Sequence, residues 1–123
     1  MMENVVTTKG ETTIEDAVNI LFEKHIGALV ITDDKGKCKG IFTERDALRS
    51  VARKIPLSTQ LMNVMSKNVV TVRKNASFAK AKSLMISHRI RHLPVVDEKA
   101  FLVGMLTLRT ILDEFAGMST VKR

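Results

Sequence analysis

The sequence predicts a mixed α/β (α+β) chain in which one β-α-β-β-α unit occurs twice. Three observations predict it. First, the chain repeats itself: Asn4-Val5-Val6-Thr7 recurs as Asn68-Val69-Val70-Thr71, an offset of 64 residues. The same ungapped offset matches Ala17 to Ala81, Ile26 to Ile90, Leu29 to Leu93, Asp33 to Asp97, Gly40 to Gly104, Thr43 to Thr107, Arg45 to Arg109 and Leu48 to Leu112. Second, the apolar period switches from helical to extended and back within each copy. Third, 123 residues with 45% apolar and 27% charged side chains suit one globular domain. A unit of about 50 residues buries too little surface to be comfortable alone. The copies are therefore expected to share a core about an approximate two-fold axis, leaving clefts between them.

Each element has a local reason. Val5-Val6-Thr7 is a short extended piece. Thr12 and Thr13 offer helix caps with Glu15 and Asp16 at capping-box spacing. Ile14, Ala17, Val18, Leu21 and Phe22 then mark one helical face, and Gly27 stands near the helix end. Ala28-Leu29-Val30-Ile31-Thr32 reads as a buried strand, Asp33-Asp34-Lys35-Gly36 as a turn, and Lys37 to Phe42 as the return strand. A helix follows Thr43. The second copy repeats the order with Val69-Val70-Thr71, a helix from about Ser77 to His88, strand Leu93 to Val96, turn Asp97 to Ala100, strand Phe101 to Leu106, and a helix from Thr107 to about Phe115. The expected limits are 1–55 for the first repeat, 56–67 for a connecting segment, 68–117 for the second repeat and 118–123 for a basic tail. Leu61, Met62 and Met65 give the connecting segment a short apolar helix, expected to strap onto the module or to form a dimer contact.

Charge and cysteine usage narrow the function classes. The formal net charge is +7, yet residues 1–50 carry seven Lys/Arg against nine Asp/Glu, while residues 51–100 carry ten against two. A basic middle fits a polyanionic partner, either a nucleotide phosphate, a nucleic acid or an acidic protein face. With no Trp or Tyr and five Phe, a base-stacking platform is disfavoured. The single Cys38 has no disulfide partner and no companion metal ligand, so a cytoplasmic setting is expected. The polar start at Met1 carries no secretory signal, and no apolar run is long enough for a membrane span.

The turn Gly40-Ile41-Phe42-Thr43-Glu44-Arg45-Asp46 concentrates the candidate chemistry. A strand running into a helix places Thr43 at the N-cap and Asp46 at N3. Free N–H groups at such a terminus suit phosphate, and a carboxylate one turn away suits ribose hydroxyls. The same Thr-x-x-Asp spacing is also an ordinary capping box. His88 and His92 are four residues apart, but the helix is expected to end between them, so no metal site is assigned. No nucleophile–base arrangement, glycine-rich phosphate loop or acid–base carboxylate pair stands out, so no catalytic residue is assigned and an enzyme is not expected.

Val69-Val70-Thr71, His88-Arg89-Ile90-Arg91-His92-Leu93-Pro94-Val95-Val96-Asp97, Gly104-Met105-Leu106-Thr107 and the Gly40–Asp46 turn together resemble a pair of cystathionine β-synthase (CBS) domains, a Bateman module, over about residues 4–115. The resemblance implies regulatory, energy-sensing binding of an adenosine ligand (AMP, ADP or ATP, with S-adenosylmethionine or NAD as alternatives) and no obligatory cofactor. It implies a main site of Thr43, Asp46, Val70, Thr71, Ile90, Arg91, His92 and Pro94. Asp46 would accept the ribose hydroxyls, and Arg91 and His92 would face the phosphates. The equivalent second set is Val6, Thr7, Ile26, Gly27, Ala28, Thr107 and Thr110. There the counterpart of Asp46 is Thr110, and those of Arg91 and His92 are Gly27 and Ala28, so this set is expected to be weak. Arg109 could compensate, although Arg45 and Arg109 also read as plain helix-surface residues. The resemblance further implies a homodimer, with Leu48, Val51, Leu108, Ile111, Leu112 and Phe115 available for the contact or for the core. An effector protein would act in trans. The alternative from the residues alone is a nucleic-acid-binding or scaffolding module that uses the basic middle.

Overall fold

The computed structural model describes residues 5–119, with side chains through residue 113, and divides into two units of the same internal order, one Val6–Val69 and the other Val5 together with the chain from Val70. In the first, β1 (Thr7–Thr8) runs parallel to β2 (Ala28–Thr32), and β2 pairs antiparallel with β3 (Cys38–Thr43), giving the sheet order β1-β2-β3. Helices α1 (Ile14–Lys24) and α2 (Glu44–Ala52) complete it. All five residues of β2 are buried, as a continuous apolar run in a central strand requires. Ile14, Ala17 and Leu21 of α1 meet Leu29, Ile31 and Phe42 of the sheet in one core cluster.

The ends of α1 are set locally. Thr13 Oγ1 accepts the Asp16 N–H, and Glu15 and Asp16 lie at the favourable end of the helix dipole. The helix stops three residues before Gly27, because His25 itself takes the left-handed conformation (φ 54°) and the Ile26 N–H closes back on the Leu21 carbonyl. Arg89 (φ 54°) does the same in the second unit. Phe22 was expected on the buried face but is 78% exposed. Ile14, Ala17 and Leu21 supply the buried contacts of α1, with Val18 and Ile20 packed against them, and Phe22 is not part of that cluster.

The second unit contains β4 (Val72–Arg73), α3 (Phe78–His88), β5 (His92–Val96), β6 (Leu102–Thr107) and α4 (Leu108–Ser119), with sheet order β4-β5-β6. The registers match: Ala28 lies opposite Thr43 and His92 opposite Thr107, and each hairpin has a bulge near its turn. Val72, Ala81, Met85, Leu93, Val95 and Ile111 form the core cluster. Both short first strands pair slightly later than expected, at Thr7 and Val72, where the backbone first reaches the central strand. Helix α4 runs to Ser119, so the tail expected from residue 118 begins inside a helix. Its remaining residues, 120–123, lie outside the described residues.

The connecting segment straps onto the first unit. Leu61, in a short 3-10 turn (Leu61–Asn63), is fully buried in the first core. The Ile14 and Glu15 N–H groups, which a helix start leaves unpaired, donate to the carbonyls of Thr59 (2.9 Å) and Leu57 (3.0 Å). Core packing holds for Ile111 (8% exposed) but not for Leu48 (71%), Val51 (63%), Leu108 (41%) or Leu112 (58%). The Phe115 side chain lies outside those described. Cys38 is half-buried, and that burial pushes its thiol pKa up. Among the described residues no helix is long and apolar enough to cross a membrane.

Candidate functional site

Where β3 becomes α2, Thr43 and Asp46 close a reciprocal capping box. The Thr43 N–H donates to Asp46 Oδ2 at 2.9 Å, and the Asp46 N–H donates to Thr43 Oγ1 at 3.3 Å. The Thr43 hydroxyl also donates to Oδ2 at 3.1 Å, and Arg49 donates to Oδ1 at 2.9 Å. Asp46 is only 7% exposed, an unusual burial for a carboxylate, and these bonds make it tolerable. Ser50, also buried, donates back to the Asp46 carbonyl at 2.9 Å. A carboxylate has about four acceptor positions, so Oδ2 is filled by two donors and Oδ1, bonded to Arg49, has one acceptor position beyond that bond.

The second unit repeats the cap without the charge. The Thr107 N–H donates to Thr110 Oγ1 at 2.7 Å, and the Thr110 N–H donates to Thr107 Oγ1 at 3.1 Å. Thr110 Oγ1 turns its own proton to the Thr107 carbonyl at 2.7 Å. The cation is missing too, since the counterpart of Arg49 is Asp113. A hydroxyl therefore suffices to close this second turn. Arg49 was absent from the expected residues, although its i,i+3 spacing from Asp46 was a legible signal.

The expectation of several free N–H groups at these helix starts needs correction. Besides Asp46 and Thr110, the Glu44 N–H is taken by the Gly27 carbonyl (3.0 Å) and the Leu108 N–H by the Arg91 carbonyl (2.8 Å). The carbonyl of the residue just before each central strand lies so close to the turn that it absorbs the N1 donor. These bonds also show which expected residues come together within a unit. Thr43 and Asp46 stand beside Gly27 and Ala28, and Thr107 and Thr110 stand beside Arg91 and His92. The Val6 carbonyl accepts the Val30 N–H at 3.1 Å, and Thr7 lies alongside the same strand. Val6, Ile26, Val70, Thr71, Ile90 and His92 are half-buried, Thr7 and Arg91 exposed, and Ala28 and Pro94 buried. Arg45 and Arg109 lie exposed on their helices.

Charge separates the units further. No carboxylate occurs between residues 70 and 96, a stretch holding Arg73, Lys74, Lys80, Lys82, Arg89 and Arg91, all exposed. α3 has no acidic residue in its first turn, whereas α1 has two.

Fold and turns together define a tandem α/β repeat protein with one charged and one neutral strand-to-helix turn. The chain belongs to the CBS-domain family, whose model matches residues 1–53 and 61–117. It is 33% identical over 111 residues to the inosine-5'-monophosphate dehydrogenase of Nitrosopumilus maritimus, a match covering 90% of this chain and 22% of that enzyme. It thus spans about a fifth of the length of that relative. It is 36% identical over 109 residues to the CBS domain-containing protein YhcV of Bacillus subtilis, covering 88% of this chain and 76% of YhcV. Among solved structures it resembles the CBS domain protein PAE2072 from Pyrobaculum aerophilum complexed with AMP, with TM-score 0.85, 28% identity and 94% of each chain covered. The CBS domain pair of protein MJ0100, in complex with 5'-methylthioadenosine and S-adenosyl-L-methionine, gives TM-score 0.86 and 28% identity, covering 94% of this chain and 91% of that one.

Proposed function

We propose that this chain is a non-catalytic regulatory module that binds an adenosine-containing ligand and transmits its occupancy through a homodimer or an effector protein in trans. The observation that supports the reading is the buried Asp46 carboxylate, at a cap whose counterpart in the second unit closes with the Thr110 hydroxyl. A charged acceptor with a spare lone pair, held rigid by its own backbone, suits ribose hydroxyls. The named ligands of the PAE2072 and MJ0100 structures share the adenosine moiety, which supports the class.

The residues proposed to serve the ligand are Thr43, Asp46, Val70, Thr71, Ile90, Arg91, His92 and Pro94, with Arg91 and His92 toward phosphate. The set of Val6, Thr7, Ile26, Gly27, Ala28, Thr107 and Thr110 lacks a carboxylate and both cationic positions and is proposed to bind weakly. Isothermal titration with AMP, ADP, ATP, S-adenosylmethionine and NAD tests the reading. One ligand is expected to bind near 1:1, with binding lost in Asp46→Thr and kept in Thr110→Ala. Failure of all five to bind would overturn it. The carboxylate-free basic stretch favours one second reading, a nucleic-acid-binding or scaffolding module. Its mark would be RNA or DNA affinity that falls steeply with salt.

A further inference from the structure

We propose that Met65 and Ser66 of the connecting segment form a latch that positions the Thr43–Asp46 turn for its ligand. The inference deepens the reading of that turn as an adenosine site and rests on it. β3 is an edge strand of its sheet, so one side of its backbone has no strand partner. Along that side the outward groups recur every second residue. Ile41 donates its N–H to the Ser66 carbonyl and accepts the Ser66 N–H, both at 3.2 Å. The next outward N–H is that of Thr43, and it goes to the Asp46 carboxylate at 2.9 Å. Latch and carboxylate therefore occupy successive places on one strand edge.

Side-chain packing reinforces the backbone bonds. Gly40 is buried beneath Met65, and a Cβ at Gly40 would overlap the Met65 sulfur and lie 2.9 Å from its Cγ. Met65 also packs on the first core, and its N–H is tied to the Leu61 carbonyl at 2.7 Å. With Leu61 fully buried, the segment has little freedom to slide along β3. The backbone entering Thr43 is thus held from both sides, by β2 and by the latch. A carboxylate that must meet ligand hydroxyls at hydrogen-bond distance depends on such support.

The test compares Met65→Ala, Met65→Leu and Leu21→Ala in the full chain. Leu21 is buried in the same core but lies on α1, so its truncation destabilises the unit while leaving the Ile41–Ser66 bonds and the Met65 side chain on Gly40 in place. AMP is the titrant, and amide hydrogen exchange at Thr43 is the second readout. Met65→Ala is expected to weaken AMP binding about 2- to 30-fold, the range typical of coupled but non-contacting positions. It is also expected to accelerate Thr43 exchange beyond the loss of global protection. Met65→Leu, which conserves volume, should restore both. Leu21→Ala should lower global protection while leaving AMP affinity unchanged. The latch is overturned if Met65→Ala and Leu21→Ala change Thr43 exchange and AMP affinity alike. If the wild type binds no AMP, the proposed ligand fails, and Thr43 exchange alone decides whether the latch holds the turn.

Discussion

Replacing Asp46 by threonine separates what the carboxylate does for folding from what it does for a ligand. In the second unit a threonine at this position already closes the cap, with Thr110 Oγ1 2.7 Å from the Thr107 N–H. Asp46→Thr should therefore retain the bond from Thr43 N–H. What it loses is the partly exposed ion pair with Arg49, whose side chain is 44% exposed, and the favourable placement of charge at the start of α2. A screened pair of this kind contributes about 0–1 kcal/mol, and the helix-dipole interaction about 0.3–1 kcal/mol. The expected cost is about 1 kcal/mol. Asp46→Ala additionally leaves the half-buried Thr43 N–H without its acceptor, and a lost hydrogen bond to a charged group costs about 1.5–3 kcal/mol. The alanine variant should thus fall about 2.5–4 kcal/mol below wild type, at least twice the loss in the threonine variant. Urea unfolding of the three proteins at one pH reads the difference as a shift in midpoint at constant slope. Calorimetric titration with AMP should find binding lost in both variants. Equal destabilisation by threonine and alanine would refute the inference that a hydroxyl can replace the carboxylate in the cap. Wild-type AMP affinity in Asp46→Thr would remove the carboxylate from the ligand site.

Three further outcomes follow from local geometry. At equivalent turn positions Gly36 has φ 89° and Ala100 has φ 73°. Ala100→Gly should therefore stabilise the chain and Gly36→Ala destabilise it, each by about 0.5–1 kcal/mol in urea unfolding. Asp33 Oδ1 accepts the Lys37 and Lys35 N–H groups, both at 2.9 Å, and the Lys37 bond is the leading cause of a carboxyl pKa held below the usual range. Its contribution is present above the ordinary carboxylate pKa and is lost as pH falls through the lowered folded value. Acid titration of Asp33→Asn should accordingly show a shallower loss of stability on that limb. Leu61→Ala should cost about 2–5 kcal/mol, as a fully buried leucine does. It should also open residues 56–66 to limited proteolysis, and unchanged protection there would show that Leu61 does not anchor the strap.

Much of the fold was legible because its signals are local. The cap spacing Thr13/Asp16, the stripe Ile14–Ala17–Leu21, the continuous run Ala28–Thr32 and the turn at Asp33–Gly36 each act within a few residues, and each element lies where those signals place it. The 64-residue repeat carried the same reading to the second unit. The Thr43/Asp46 cap and its neutral counterpart at Thr107/Thr110 were likewise visible as paired positions. Helix ends were less legible. Gly27 looked like a stop signal, but helix termination depended on His25 closing its hydrogen bonds in the left-handed region. Exposure of Phe22, Leu48 and Val51 was not legible either, because a helical stripe shows which residues share a face and not which of them pack into the core.

The amino-acid sequence by itself determined the repeat, the order of elements, the family and the place of the one charged strand-to-helix turn, since all of these depend on identity and spacing along the chain. Tertiary structure alone decided which donors at that turn were already consumed, as with Glu44 by the Gly27 carbonyl. It also decided that Arg49 joins Asp46, and that Ser66 and Met65 cover the edge of β3. The physical reason is that hydrogen bonds and van der Waals contacts act over a few ångströms in space, and the chain brings Ser66 to Ile41 across 25 residues of sequence.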